Sequence, residues 1–145
     1  MLYTVKKILV PIDGSANSYR ALDVAMMLAK TLKAKLVGIH AINIIPTTES
    51  QPFEPLEFQL EEKRHATAML ETVRALCNKE GISFSAVVGF GSPGDLVVKF
   101  VKNKDNKIDM VVIGSRGKTA ISEIFLGSVS NFVLHKSPIP VLVVK

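Results

Sequence analysis

Val111-Val112-Ile113-Gly114-Ser115-Arg116-Gly117-Lys118-Thr119 is an apolar run that breaks into a turn with two glycines; Gly127-Ser128-Val129-Ser130-Asn131-Phe132 follows a further apolar stretch. Apolar residues that run together without alternation mark a strand buried on both faces. A strand, a glycine-rich turn and a helix opening with Gly and Ser have the makings of a phosphate cradle. Glycine permits positive φ and close approach to an anion, successive N–H groups can converge on it, and a helix start adds unpaired donors and the positive end of its dipole. Glycines after a strand more often make an ordinary turn, so Gly114 and Gly117 alone would decide little. The second cluster adds weight, because Gly127-Ser128 opens another helix, with the Ser128 and Ser130 hydroxyls free to cap it or to meet an oxygen-rich ligand. Gly117-Lys118-Thr119 imitates the end of a Walker A loop, but that motif needs a further glycine where Val112 stands, so this is not a P-loop.

Outward from this stretch the chain alternates between strand and helix. Lys7-Ile8-Leu9-Val10-Pro11-Ile12-Asp13 reads as a buried strand ending in one acid. Gly14-Ser15 turns the chain into a helix reaching Leu32, with Ser15 as N-cap and Leu22, Ala25, Met26, Ala29 and Leu32 as its apolar stripe. Lys35 to Ile44 is a second strand, ahead of a polar loop over 46–52. Glu54 to Glu80 is a long amphipathic helix buried through Ala66, Met69, Leu70, Val73, Leu76 and Cys77, with Gly81 suited to its C-terminal cap. Ile82 to Phe90 is a third strand. Ser92 caps a third helix, with Pro93 in the first turn, Asp95 completing a capping-box-like pattern, and Leu96, Val97, Phe100 and Val101 inward. A basic loop, Lys102 to Lys107, leads to the strand Asp109 to Ile113. Val129, Phe132 and Val133 bury a fourth helix, and Pro138 to Val144 is the last strand.

This order implies an α/β, doubly wound fold: a mainly parallel five-stranded sheet with four helices on its two faces, joined by right-handed crossovers. In the Rossmann-type order the first and fourth strands are neighbours and ligands bind outside their carboxyl ends, which sets Asp13 beside Gly114. A flavodoxin-like order would put another pair at the switch, and the pattern alone leaves both open.

The 145 residues suit a single domain, 1–145, and no apolar run approaches the length needed to span a bilayer. The N-terminus lacks the apolar core and cleavage site of a signal peptide, so the cytoplasm is expected. Cys77, the single cysteine, lies on an apolar helix stripe and cannot form an internal disulfide. The net charge is +5, but lysines are interleaved with acids in every segment and no basic patch with stacking aromatics stands out, so no nucleic-acid partner is expected.

Gly114, Gly117, Gly127 and Ser128 resemble the nucleotide-binding signature of the universal stress protein family: Gly, two residues, Gly, nine residues, then Gly with Ser or Thr. The likeness runs from Pro11-Ile12-Asp13-Gly14-Ser15 to the terminal Pro-Val-Leu-Val-Val strand. It implies the sheet order 3-2-1-4-5 and a site for ATP, or for AMP or ADP, with Mg²⁺ carried through the phosphates. The implied binding residues are Pro11, Asp13, Ser15, Ala41, Gly114, Ser115, Arg116, Gly117, Gly127, Ser128, Val129 and Ser130. Asp13 could otherwise cap the first helix, and His40 suits the sheet end better than chemistry. The resemblance also implies a homodimer through the C-terminal strand. Hydrolysis would be slow at most, since the cradle offers no evident base or water-orienting Gln. A full ATPase or a nucleotide-independent adaptor are the alternatives. A phosphorylated receiver would need paired acids after the first strand, and adenylating or pyrophosphatase enzymes a Ser-Gly-Gly loop or a His-containing motif, none of which is present.

Overall fold

The computed structural model describes residues 2–43, 55–117 and 126–145. The elements are β1 (Lys7–Pro11), α1 (Ala16–Leu32), β2 (Lys35–Ile42), α2 (Leu56–Lys79), β3 (Phe84–Phe90), α3 (Pro93–Lys102), β4 (Met110–Gly114), α4 (Ser128–Lys136) and β5 (Val141–Val144), with a 3-10 turn over Lys104–Asn106. The sheet order is β3-β2-β1-β4-β5. Every pairing is parallel, so "mainly" parallel understates it. The Rossmann-type order therefore holds and the flavodoxin-like one does not. The loop expected over 46–52, and Lys118 and Thr119, lie outside the described residues.

A parallel sheet covered on both sides needs apolar residues at successive positions of each strand, and each side chain goes to the opposite face from its neighbours. Ile8, Val10 and Ile12 join Leu22, Ala25, Leu70, Val73 and Cys77 in the core beneath α1 and α2. Leu9 joins Val37, Ile39, Val97, Val111 and Val133 beneath α3 and α4. The unbroken runs in β1 and β4 thus serve two cores at once.

Several boundaries move for identifiable reasons. Gly81, at φ 72°, closes α2 in a Schellman motif, with the N–H of Ile82 donating to the Cys77 carbonyl and that of Gly81 to the Asn78 carbonyl. Ile82 is thereby committed to the helix end, and β3 starts pairing at Phe84, opposite Leu36. Asp109 stays outside β4 because its Oδ2 accepts the N–H groups of Lys6 and Lys7 at 2.8 and 3.0 Å, clipping the start of β1. Leu76 and Leu32, expected in the core, are 46% and 45% exposed: Leu76 flanks the buried stripe of Ala66, Leu70, Val73 and Cys77, and Leu32 is the last residue of α1. Ser92 does sit at the N-cap of α3 in extended conformation, but its side chain makes no capping bond and the capping box does not form.

The strand starts and helix ends share one edge of such a sheet. Lys6, Lys7 and Lys35 lie there with Lys30, Lys33, Lys79, Lys102, Lys104 and Lys107. Lysines that look scattered along the chain gather at that pole, where helix C-termini favour cations. The glycine-rich turns are at the other pole.

Candidate nucleotide site

At the carboxyl end of β1 the chain is tied to β2: the N–H of Ile12 donates to the Ile39 carbonyl at 2.9 Å, and a ring nitrogen of His40, Nδ1, is 2.7 Å from the Ile12 carbonyl. His40 therefore serves the sheet end, as its position suggested. Gly14 then turns at φ 85°. Asp13 Oδ1 accepts the N–H of Ser15 at 2.8 Å, and Ser15 Oγ accepts the N–H of Ser18 at 3.1 Å. Ser15 is the N-cap of α1, while Asp13 shapes the turn before it, so Asp13 does not cap the helix. Its other oxygen, Oδ2, faces the signature turn, where a Cβ on Gly117 would come within 2.8 Å of it.

The end of β4 is built differently from the expectation. Gly114, Gly117 and Gly127 do not use positive φ; the glycines that do are Gly14, Gly81 and Gly91. Their value is close approach. A Cβ on Gly114 would sit 2.8 to 3.0 Å from Asn17 atoms, and one on Gly127 would be 3.3 Å from both Arg116 Cα and the Ser115 carbonyl oxygen. That oxygen accepts the N–H of Gly127 at 2.7 Å and the hydroxyl of Ser130 at 2.8 Å. The two glycine clusters are one hydrogen-bonded unit.

This bonding consumes several groups that a phosphate cradle would have claimed. The N–H of Ser115 goes to the Val144 carbonyl at 2.7 Å and that of Arg116 to Asn17 Oδ1 at 2.6 Å. The hydroxyl of Ser130 is buried and spent on Ser115, with a second approach of 3.0 Å to the Gly127 carbonyl, so it is not free as expected. What stays open among the described residues is the first turn of α4. Its N–H groups at Ser128, Val129 and Ser130 have no intrahelical acceptor, and the N-cap is Gly127, which has no side chain to provide one.

These groups border a cleft of about 1120 Å³. Pro11, Asp13, Ala41, Gly114, Arg116, Gly117, Gly127, Ser128, Val129 and Ser130 line it together, so ten of the twelve expected positions converge from β1, β2, β4 and α4. Ser15 and Ser115 do not line it: one caps α1 and the other is buried behind the turn. The opposite wall comes from Asn43, Glu62 and the start of α3 at Ser92, Pro93 and Leu96, over an apolar floor that includes Ile39, Val97 and Ile113. An apolar cavity with a few polar groups at one end is the usual form of a small-molecule site. Among the described residues no cluster of three His, Cys, Asp or Glu could hold a metal ion. No helix among them is long and apolar enough to cross a membrane.

Sequence reasoning missed Asn17, Glu62 and the α3 wall. Asn17 did leave a signal: it precedes Ala21, Ala25 and Ala29 at intervals of four, so a helix that buries those alanines buries a polar amide with them. Glu62 and Ser92 left none, because only the packing of α2 and α3 brings them to the cleft.

Known proteins agree with this architecture. The family model described as universal stress protein family matches residues 4–145. Universal stress protein YxiE of Bacillus subtilis is 33% identical over 147 residues, which cover 96% of this chain and 98% of that one. Protein MJ0577, named for Methanocaldococcus jannaschii among the sequence relatives, has a solved structure that superposes with a TM-score of 0.83 at 30% identity, over 98% of this chain and 96% of that one. A universal stress protein solved in complex with cAMP is 25% identical, with a TM-score of 0.72 over 97% of this chain and 96% of that one. Sequence, signature spacing and fold coincide from end to end, and the chain belongs to the universal stress protein family.

Proposed function

We propose that this protein binds an adenine nucleotide, ATP in the first place, in the cleft between β1, β2, β4 and α4, and acts as a nucleotide-dependent regulatory member of its family rather than as a fast enzyme. The observation that carries the reading is the first turn of α4, whose N–H groups have no acceptor among the described residues and which presents them with its helix dipole to the cleft beside Gly117. The end of β2 at Ala41 and the apolar floor suit a purine, with Asp13 close enough to the same turn to meet a ribose or amino group. The family member solved with cAMP supports an adenylate as ligand class.

Mg²⁺ would come with the phosphates, since this ion keeps several waters and takes few protein ligands. The donor set fits that arrangement: Asp13 and Glu62 are the carboxylates on the cleft wall among the described residues, too few for a protein-held metal.

We also infer a homodimer through β5. Val141 and Val143 pack toward one core and Val144 toward the other, while Leu142 is 37% exposed on an edge strand with no neighbour on its outer side among the described residues. A bare apolar edge favours pairing with its copy.

Mass spectrometry of ligand released from freshly purified protein, followed by calorimetry with magnesium-loaded ATP and AMP, tests the reading. Co-purified adenylate or a saturable heat supports it. Phosphate release at enzyme rates would favour a true ATPase, and an empty cleft with no heat would favour an adaptor and sink the nucleotide reading.

A further inference from the structure

Asn17 is the second residue of α1, is 6% exposed, and touches the signature turn from behind, on the side away from the cleft. Its Oδ1 accepts the N–H of Arg116 at 2.6 Å and lies 3.4 Å from the Ser115 hydroxyl, while Nδ2 donates to the Val144 carbonyl at 3.4 Å. The partners fix the orientation of the amide. The Arg116 N–H requires an acceptor and the Val144 carbonyl a donor, so turning the group over would oppose like with like at both ends. The Val144 carbonyl also accepts the N–H of Ser115 at 2.7 Å, and Gly114 is small enough to let the Asn17 carbonyl and side chain approach. One side chain thus meets three consecutive residues of the turn and the last strand of the sheet.

We propose that Asn17 is the positioning residue of the nucleotide site: an amide latch that holds the Ser115–Arg116 peptide, and through the Ser115 carbonyl the start of α4, in the geometry that receives phosphate. The proposal rests on the nucleotide reading above. The Arg116 N–H is drawn inward by this latch, which leaves Gly117 and the first turn of α4 to meet the ligand. Asparagine supplies an acceptor for one partner and a donor for the other; aspartate keeps only the first, and leucine of similar size keeps neither.

The test compares wild type, Asn17→Asp and Asn17→Leu in two measurements. Amide exchange at Arg116, followed by NMR without ligand, should rise about tenfold in Asn17→Leu, the step produced by losing ~1.4 kcal/mol of protection, and stay near wild type in Asn17→Asp. ATP affinity, titrated with magnesium, should fall about tenfold in Asn17→Leu and within about threefold in Asn17→Asp. A merely structural asparagine would lower the melting temperatures without this split between the variants. Should Asn17→Leu not fold, Asn17→Ser, too short to reach Arg116, takes its place. Arg116 exchange as slow in Asn17→Leu as in wild type, or equal affinity in three folded, ATP-binding proteins, overturns the latch. Wild type that takes up no adenylate removes the nucleotide reading instead, and the exchange at Arg116 then decides the latch by itself.

Discussion

The carbonyl of Ser115 accepts the backbone N–H of Gly127 at 2.7 Å, across eleven intervening residues, and with it the hydroxyl of Ser130. The turn after β4 and the first turn of α4 are therefore tied directly to each other. Whatever meets the open N–H groups of α4 also meets a backbone held by β5 and α1 through Val144 and Asn17.

Replacing Gly127 by valine puts a branched side chain where even a Cβ has 3.3 Å to Arg116 and Ser115. The φ of −61° is ordinary, so the damage is steric and not conformational. Overpacking of this kind costs ~1–3 kcal/mol. We expect nucleotide affinity to fall more than stability, because the two halves of the clamp are pushed apart. Calorimetry and urea melts on the same sample separate the two; affinity equal to wild type would remove Gly127 from the site.

Gly114→Ala acts on the other side of the turn. The added Cβ lands 2.9 Å from the Asn17 backbone carbonyl, which α1 cannot withdraw without loosening its own first turn. Expected destabilisation is ~1–3 kcal/mol in a urea melt. A variant as stable as wild type would mean that α1 and β4 are not in close contact in solution.

Cys77 is fully buried, and burial pushes its thiol above the ordinary range, with Arg74 opposing in part. It should resist a thiol reagent in the native protein and react on unfolding. The linkage has a definite sign. The folded state disfavours the thiolate, so its contribution is intact below the ordinary thiol pKa and is lost as pH rises from there through the raised native value. Stabilities from urea melts of wild type and Cys77→Ser, followed against pH, should differ in slope in that alkaline window alone. Rapid native labelling at neutral pH would contradict the burial.

Pairing through β5 is testable at one position. Pro140 and Val144 turn their carbonyls to β4, so by the alternation of a strand Val141 and Val143 direct their polar groups to the outer edge. Val143→Pro removes an outward N–H and spares the ladder to β4. Sedimentation should shift from dimer to monomer with circular dichroism retained. A dimer unaffected by this change uses another face.

Local signals in the chain were enough for the fold class and for the end of the sheet at which the candidate site lies. Unbroken apolar runs in β1 and β4, helical stripes between strands, and Ser15 and Gly81 at helix ends are local signals, set by periodicity and capping within a few residues. The role of the glycines came from contacts between distant segments. Gly114 and Gly127 read in one dimension as cradle glycines at positive φ, yet they are points of close contact at ordinary φ, because Asn17 and Ser115 press against them from segments far along the chain. Such contacts also decided which donors remain for a ligand. Hydrogen bonds between distant residues spend the N–H groups of Ser115 and Arg116 and the hydroxyl of Ser130, and leave the start of α4 open; no local pattern could distribute them.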